Sequence, residues 1–95
     1  MPYITLPRRE FLKPKLHPLC DYIAHGNDAI TPGDMNYIIT RLLLAYLKHA
    51  GVSYTTLNCA LGILTCVKHE FYRRAVADYE EGKIVQNGDV YGAPL

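Results

Sequence analysis

The chain has no tryptophan, no surplus of charge of either sign and no apolar run long enough to cross a bilayer. Its formal net charge is +1. A dedicated nucleic-acid binder carries a strong basic excess, because its affinity comes from neutralising phosphates. A nucleic-acid regulator therefore ranks last among the functions considered. The longest apolar stretch, Leu42 to Leu47, falls far short of the roughly 18 residues of a membrane helix. Arg8 and Arg9 near the start are followed by no signal-type apolar region. A cytoplasmic protein without a membrane partner is expected. Three cysteines, Cys20, Cys59 and Cys66, are an odd number without the spacing of a disulfide scaffold, and they read as buried thiols.

What is present suggests one small domain that needs company. Ninety-five residues bury a modest fraction of their surface, so the core is thin. Yet 49% of the residues are hydrophobic and only 20% are charged. An apolar-rich short chain points to surface covered by another subunit. Eight tyrosines stand against two phenylalanines. Tyrosine has an apolar ring and a polar tip, and so suits interfaces and pocket walls. The edge of a small core is the plainer use of the same residues.

The periodicity predicts an all-α fold over a single domain, residues 1–95. Residues 1–7, with Pro2 and Pro7, read as an extended arm. Phe11, Leu12, Leu16, Leu19, Cys20 and Ile23 recur at helical spacing, but Pro14 and Pro18 interrupt them. A broken N-terminal helix is expected, in pieces near 8–12 and 15–24, stopped at Gly26. Thr31-Pro32-Gly33-Asp34 announces a second helix with a cap, a first-turn proline and a carboxylate. Its stripe is Met35, Ile38, Ile39, Leu42, Leu43, Tyr46 and Ala50, and Gly51 ends it.

Ser53 caps a third helix, with Val52 and Leu57 placed for a hydrophobic staple. That helix should run from about Tyr54 to Glu81, with Leu57, Ala60, Leu61, Leu64, Val67, Phe71, Ala75 and Tyr79 in its stripe. The short link makes the second and third helices an antiparallel helical hairpin. At 1.5 Å per residue the third helix would be about 42 Å long, against about 32 Å for a compact domain of this size. It should overhang or bend, and an overhanging apolar helix favours a homo-oligomer, a dimer or higher. Residues 82–95 read as an irregular tail in which Asn87-Gly88 could form a hairpin turn.

No catalytic motif appears, and no cofactor or metal is expected. His17 with Cys20, and Cys66 with His69, have the donor types of a tetrahedral metal site at i, i+3 spacing. Pro18 inside the first pair and the apolar neighbours of both cysteines favour core thiols and surface histidines instead. No nucleophile sits in a glycine-flanked turn beside a positioned histidine. Gly62, alone within a helix, reads as a place of close helix–helix approach. The polar pattern with most chemistry is basic and aromatic. Tyr37 and Arg41 share a ridge of the second helix, while Lys68, Tyr72 and Arg73 lie within two turns of the third. Arginine offers a planar fork to phosphate and tyrosine a stacking face, as a small anionic ring-containing ligand requires. An ordinary solvated face, with Arg73 and Arg74 paired to Asp78 or to a partner's carboxylates, accounts for the same residues.

Met1-Pro2-Tyr3-Ile4, Asn36-Tyr37-Ile38-Ile39-Thr40-Arg41-Leu42, Ser53-Tyr54, Glu70-Phe71-Tyr72-Arg73-Arg74 and Asn87-Gly88-Asp89-Val90-Tyr91 span nearly the whole chain. In these segments the sequence resembles a family of small uncharacterised proteins of bacteriophages and bacterial genomes. It departs from that pattern at the Gly26–Ile30 turn and at Gly82. The resemblance transfers no catalytic or binding residue. It implies a phage-type context in the host cytoplasm, where small oligomeric proteins bind a host protein or sequester nucleotide immune signals. The expected function is non-catalytic capture of a small anionic ligand by Arg41, Lys68, Tyr72 and Arg73, with Tyr37 as a stacking wall. A protein–protein interaction module acting on a host protein is the alternative.

Overall fold

Four helices and one π turn make up the structure, a computed structural model that describes residues 2–92. The chain is all-α, and no strand occurs among the described residues. It divides within its third helix into two compact units, Pro2–Ala60 and a second from Leu61 onward.

In the first unit, α1 runs Leu6–His25 without a break through Pro14 and Pro18. This corrects the expected pair of short helices. Each proline removes one backbone donor and crowds the carbonyl four residues back. Here the two prolines are themselves four residues apart, so their rings lie on one exposed face beside Lys13 and His17. The disturbed carbonyls of Glu10 and Pro14 belong to exposed residues, where water can serve them. Gly26 ends α1 by donating its N–H to the Tyr22 carbonyl at 2.9 Å. Its φ of −69° is not left-handed. Glycine is needed for a different reason: a Cβ would run into that same carbonyl oxygen.

The second helix, α2, spans Pro32–Ala50. Its start is the predicted one. The Asp34 N–H donates to Thr31 Oγ1 at 3.1 Å, and the Thr31 N–H donates to Asp34 Oδ2 at 2.9 Å. This reciprocal box satisfies two groups that a helix end leaves open. Gly51 closes α2 at a φ of +85°, a conformation that glycine takes without strain. α3 spans Tyr54–Phe71 and opens with a similar box made of hydroxyls. The Thr56 N–H donates to Ser53 Oγ at 3.1 Å, and the Ser53 N–H to Thr56 Oγ1 at 2.9 Å. Val52 stays 75% exposed, so the expected hydrophobic staple does not close.

In the second unit the helix does not continue as a plain α-helix to Glu81. Tyr72–Val76 form a π turn, with the Ala77 N–H donating to the Tyr72 carbonyl five residues back. One extra residue in the turn rotates the next stretch of helix by roughly 100°, the angle of one α-helical residue. Ala75 and Tyr79 are therefore displaced from the stripe of Leu64, Val67 and Phe71. α4 then spans Ala77–Asn87. Residues 82–87, expected as the start of an irregular tail, are thus helical, and Asn87-Gly88, a possible hairpin turn, ends a helix. Gly88 has a φ of +90° and donates its N–H to the Ile84 carbonyl at 2.8 Å. Residues 93–95 of the expected tail, and Met1 of the arm, lie outside the described residues.

The apolar periodicity is expressed, but little covers it. Leu12, Leu19, Ile23, Met35, Ile38, Leu43, Tyr46 and Leu47 are half-buried. Leu42, Leu44, Leu61, Val67 and Phe71 are each more than half exposed. Among the described residues only Ala60 is buried. The three cysteines, expected to be core thiols, are exposed. Gly62 also departs from expectation, since a Cβ there would meet nothing within 4 Å.

Candidate functional site

The five residues singled out for ligand binding fall into two groups, one in each unit. In the first unit, Tyr37 and Arg41 are one turn apart on α2, so their side chains share a face. Arg41 Nη1 donates to the Tyr37 hydroxyl at 2.9 Å, and the guanidinium lies 5.8 Å from the ring centroid. No carboxylate pairs with Arg41 among the described residues. The guanidinium thus keeps donors for an incoming acceptor while its position is fixed by the phenol.

Tyr37 also lines an open recess of about 390 Å³ with Tyr22, Asp28, Ala29, Ile30, Asp34 and Ile38. The Tyr22 hydroxyl donates to Asp28 Oδ2 at 2.6 Å across the α1–α2 connection. That hydrogen bond, and the negative charge behind it, raise the Tyr22 phenol above its ordinary value. Asp34 is held below the usual carboxylate range by the backbone and hydroxyl donors of Thr31. The recess itself is therefore acidic and aromatic. Arg41 supplies the cationic end of the Tyr37 ridge.

In the second unit, Lys68 on α3 has no hydrogen bond or ion pair among the described residues. Tyr72 opens the π turn and donates its hydroxyl to Glu80 Oε2 at 3.3 Å. The Glu80 charge, and then this hydrogen bond, raise the Tyr72 phenol. Arg73 forms a two-pronged pair with Glu70, at 2.6 Å from Nη2 and 3.2 Å from Nε. The fork that was expected to face a ligand thus already holds a carboxylate. Glu70 is readable at i−3 of Arg73. Glu80 is not, because eight residues align with Tyr72 only when a five-residue turn precedes an ordinary one.

The possible metal donors are also divided. His17 and Cys20 lie in the first unit, Cys66 and His69 in the second. Among the described residues no group of three or more His, Cys, Asp or Glu side chains is gathered as a metal ion requires. No helix among them is long and apolar enough to cross a membrane.

Capped helices and sparsely buried apolar stripes define a small all-helical protein. The chain belongs to the family of the domain of unknown function DUF6899, whose model matches residues 1–90. No curated protein and no solved structure matches it.

Proposed function

We propose that the chain is a non-catalytic binding protein that works as a homo-oligomer and captures a small anionic ligand. The observation that carries the oligomer is the state of the apolar side chains. Nearly half the residues are hydrophobic, yet among the described residues Ala60 alone is buried. Helices of 11–20 residues are marginal in water without an apolar face to pack. The faces bearing Ile39 and Leu42 on α2, and Leu64, Val67 and Phe71 on α3, are the surface that further copies would cover. Homo-oligomers with closed symmetry are the commonest assemblies of this kind.

Arg41 and Lys68, both without carboxylate partners among the described residues, support the anionic ligand. In this proposal Arg41 with Tyr37 as a stacking wall is one set of contacts, and Lys68 with Tyr72 and Arg73 is the other, the latter once Glu70 releases its arginine. A nucleotide immune signal, captured in the manner of a phage counter-defence protein, is the ligand class with both features: charge for the cations and a ring for the tyrosine. The exposed apolar faces also suit a second reading, an interaction module that occupies a host protein.

Native mass spectrometry of gently purified protein separates these readings. A whole number of chains plus the mass of a nucleotide supports capture, and Arg41→Ala with Arg73→Ala should then abolish the extra mass while circular dichroism stays unchanged. An oligomer that keeps its ligand in the double variant removes these residues from the site. A ligand-free oligomer that binds one host protein stoichiometrically favours the second reading. A monomer removes the oligomer and the argument built on it.

A further inference from the structure

We infer that two copies of this chain dock α1 of one against α4 of the other, through charge rows of opposite sign. This rests on the oligomer reading above and names the surfaces that orient it. The first half of α1 carries Arg8, Arg9, Lys13 and Lys15 against Glu10 alone. From Asp78 to Asp89 the chain carries Asp78, Glu80, Glu81 and Asp89 against Lys83 alone. The α1 row therefore has an excess of three positive charges and the second segment of three negative ones, two of them on α4 itself because Asp89 follows its last residue. The whole chain carries only +1. The polarity is concentrated in these two segments, and the residues between them nearly balance.

Local structure does not account for the basic row. The positive end of a helix dipole favours acids, and the first turn of α1 has none. Arg8 and Arg9 stand there instead, where they weaken the helix. Lys13 is satisfied by Glu10 at 3.1 Å. Arg8 and Lys15 both lie against the Phe11 ring, at 4.8 and 3.8 Å from its centroid. The ring holds the two cations on one face, with Arg9 next in the chain; none of the three has a carboxylate partner among the described residues. On α4 the acids do suit the dipole, and Asp78 and Glu81 share a face at i, i+3. Neither has an ion-pair partner among the described residues.

A second copy is the occupant that matches both rows at once. Reciprocal docking, α1 on α4 and α4 on α1, turns two basic and two acidic faces into two neutral pairs. Such complementarity fixes register and partner choice more than affinity, while the apolar faces supply the area.

The test uses the full chain in two charge-reversed forms. Arg8→Glu with Arg9→Glu makes both rows acidic. Asp78→Arg with Glu81→Arg makes both basic. Each form alone should associate at least tenfold more weakly than the parent in sedimentation at low salt, and an equimolar mixture should restore the parent mass as a heteromer. Acids in the first turn of α1 favour that helix, so weakened association of the first form cannot be ascribed to loss of α1. Circular dichroism checks the second form. Parent-like association of either form alone, or a mixture that stays dissociated, overturns the inference while leaving the oligomer intact. A parent chain that is itself monomeric overturns both.

Discussion

Replacing Gly62 by alanine tests how much of α3 is free. Glycine within a helix costs about 1 kcal/mol relative to alanine, because it loses more backbone freedom on folding. That gain is realised only if the added methyl has room. At Gly62 a Cβ meets no heavy atom within 4 Å beyond its chain neighbours and its own helix backbone, and the backbone is not in the left-handed region. Gly82 on α4 is equally open and serves as the internal reference. Each substitution should stabilise by about 1 kcal/mol, which for a domain of this size raises the melting temperature by about 4–8 °C. The two are twenty positions apart and should add within about 0.5 kcal/mol. Thermal and urea unfolding, each at two protein concentrations, measure both changes and show whether assembly contributes. A Gly62→Ala protein that melts lower, while Gly82→Ala melts higher, would refute the reasoning. It would mean that another chain packs closely on the Asn58–Gly62–His69 side of α3, as the glycine's presence in a helix first suggested.

The same geometry gives four further expected outcomes. Thr31→Ala removes a hydroxyl acceptor from the start of α2 and should destabilise the protein by about 1 kcal/mol in urea unfolding. The carboxyl of Asp34 is depressed in the folded state, so its contribution is present above the ordinary carboxylate value and lost as pH falls through the folded one. Asp34→Asn should flatten that acid limb of the stability curve. Tyr72 is raised, so its contribution is present below the ordinary phenol value and lost as pH rises through the folded value; Glu80→Gln should lower the Tyr72 titration seen in ultraviolet absorbance. Gly26→Ala forces a methyl into the Tyr22 carbonyl and should shorten α1 at its end, seen as lost amide protection at position 26.

Legibility in the sequence tracks the range of the forces involved. The start of α2 can be read residue by residue, because a capping box is a four-residue hydrogen-bond pattern. The stop at Gly51 is equally local. Pro14 and Pro18 mislead for the opposite reason. Their penalty depends on whether the disturbed carbonyls reach water, and that is a property of the exposed face, not of the dipeptide. Gly82 and Asn87 have the composition of turns, yet α4 carries through to Asn87 before Gly88 stops it. The π turn is invisible because Tyr72-Arg73-Arg74-Ala75-Val76 has no residue that forbids an ordinary helix. For the candidate site, the pairing of Tyr37 with Arg41 is written in their i, i+4 spacing. The pairing of Arg73 with Glu70 is just as local, at i, i+3, and it competes directly with the ligand-facing role expected of that arginine. Burial is the least legible, since periodicity says which face is apolar and nothing about what lies on it.

The π turn also makes this helix a place where the chain can change length. Insertions and deletions usually fall in loops, where backbone geometry is tolerant. Here the extra residue is already housed within continuous helix, between Tyr72 and Val76. Deleting one residue from this stretch would let α3 and α4 fuse into a single regular rod and turn every α4 side chain by roughly 100°. Tyr72 would lose Glu80, and the acids Asp78 and Glu81 would face a new direction, with both flanking sequences untouched. A one-codon change is then enough to re-aim the charged face of α4 without a substitution at that face.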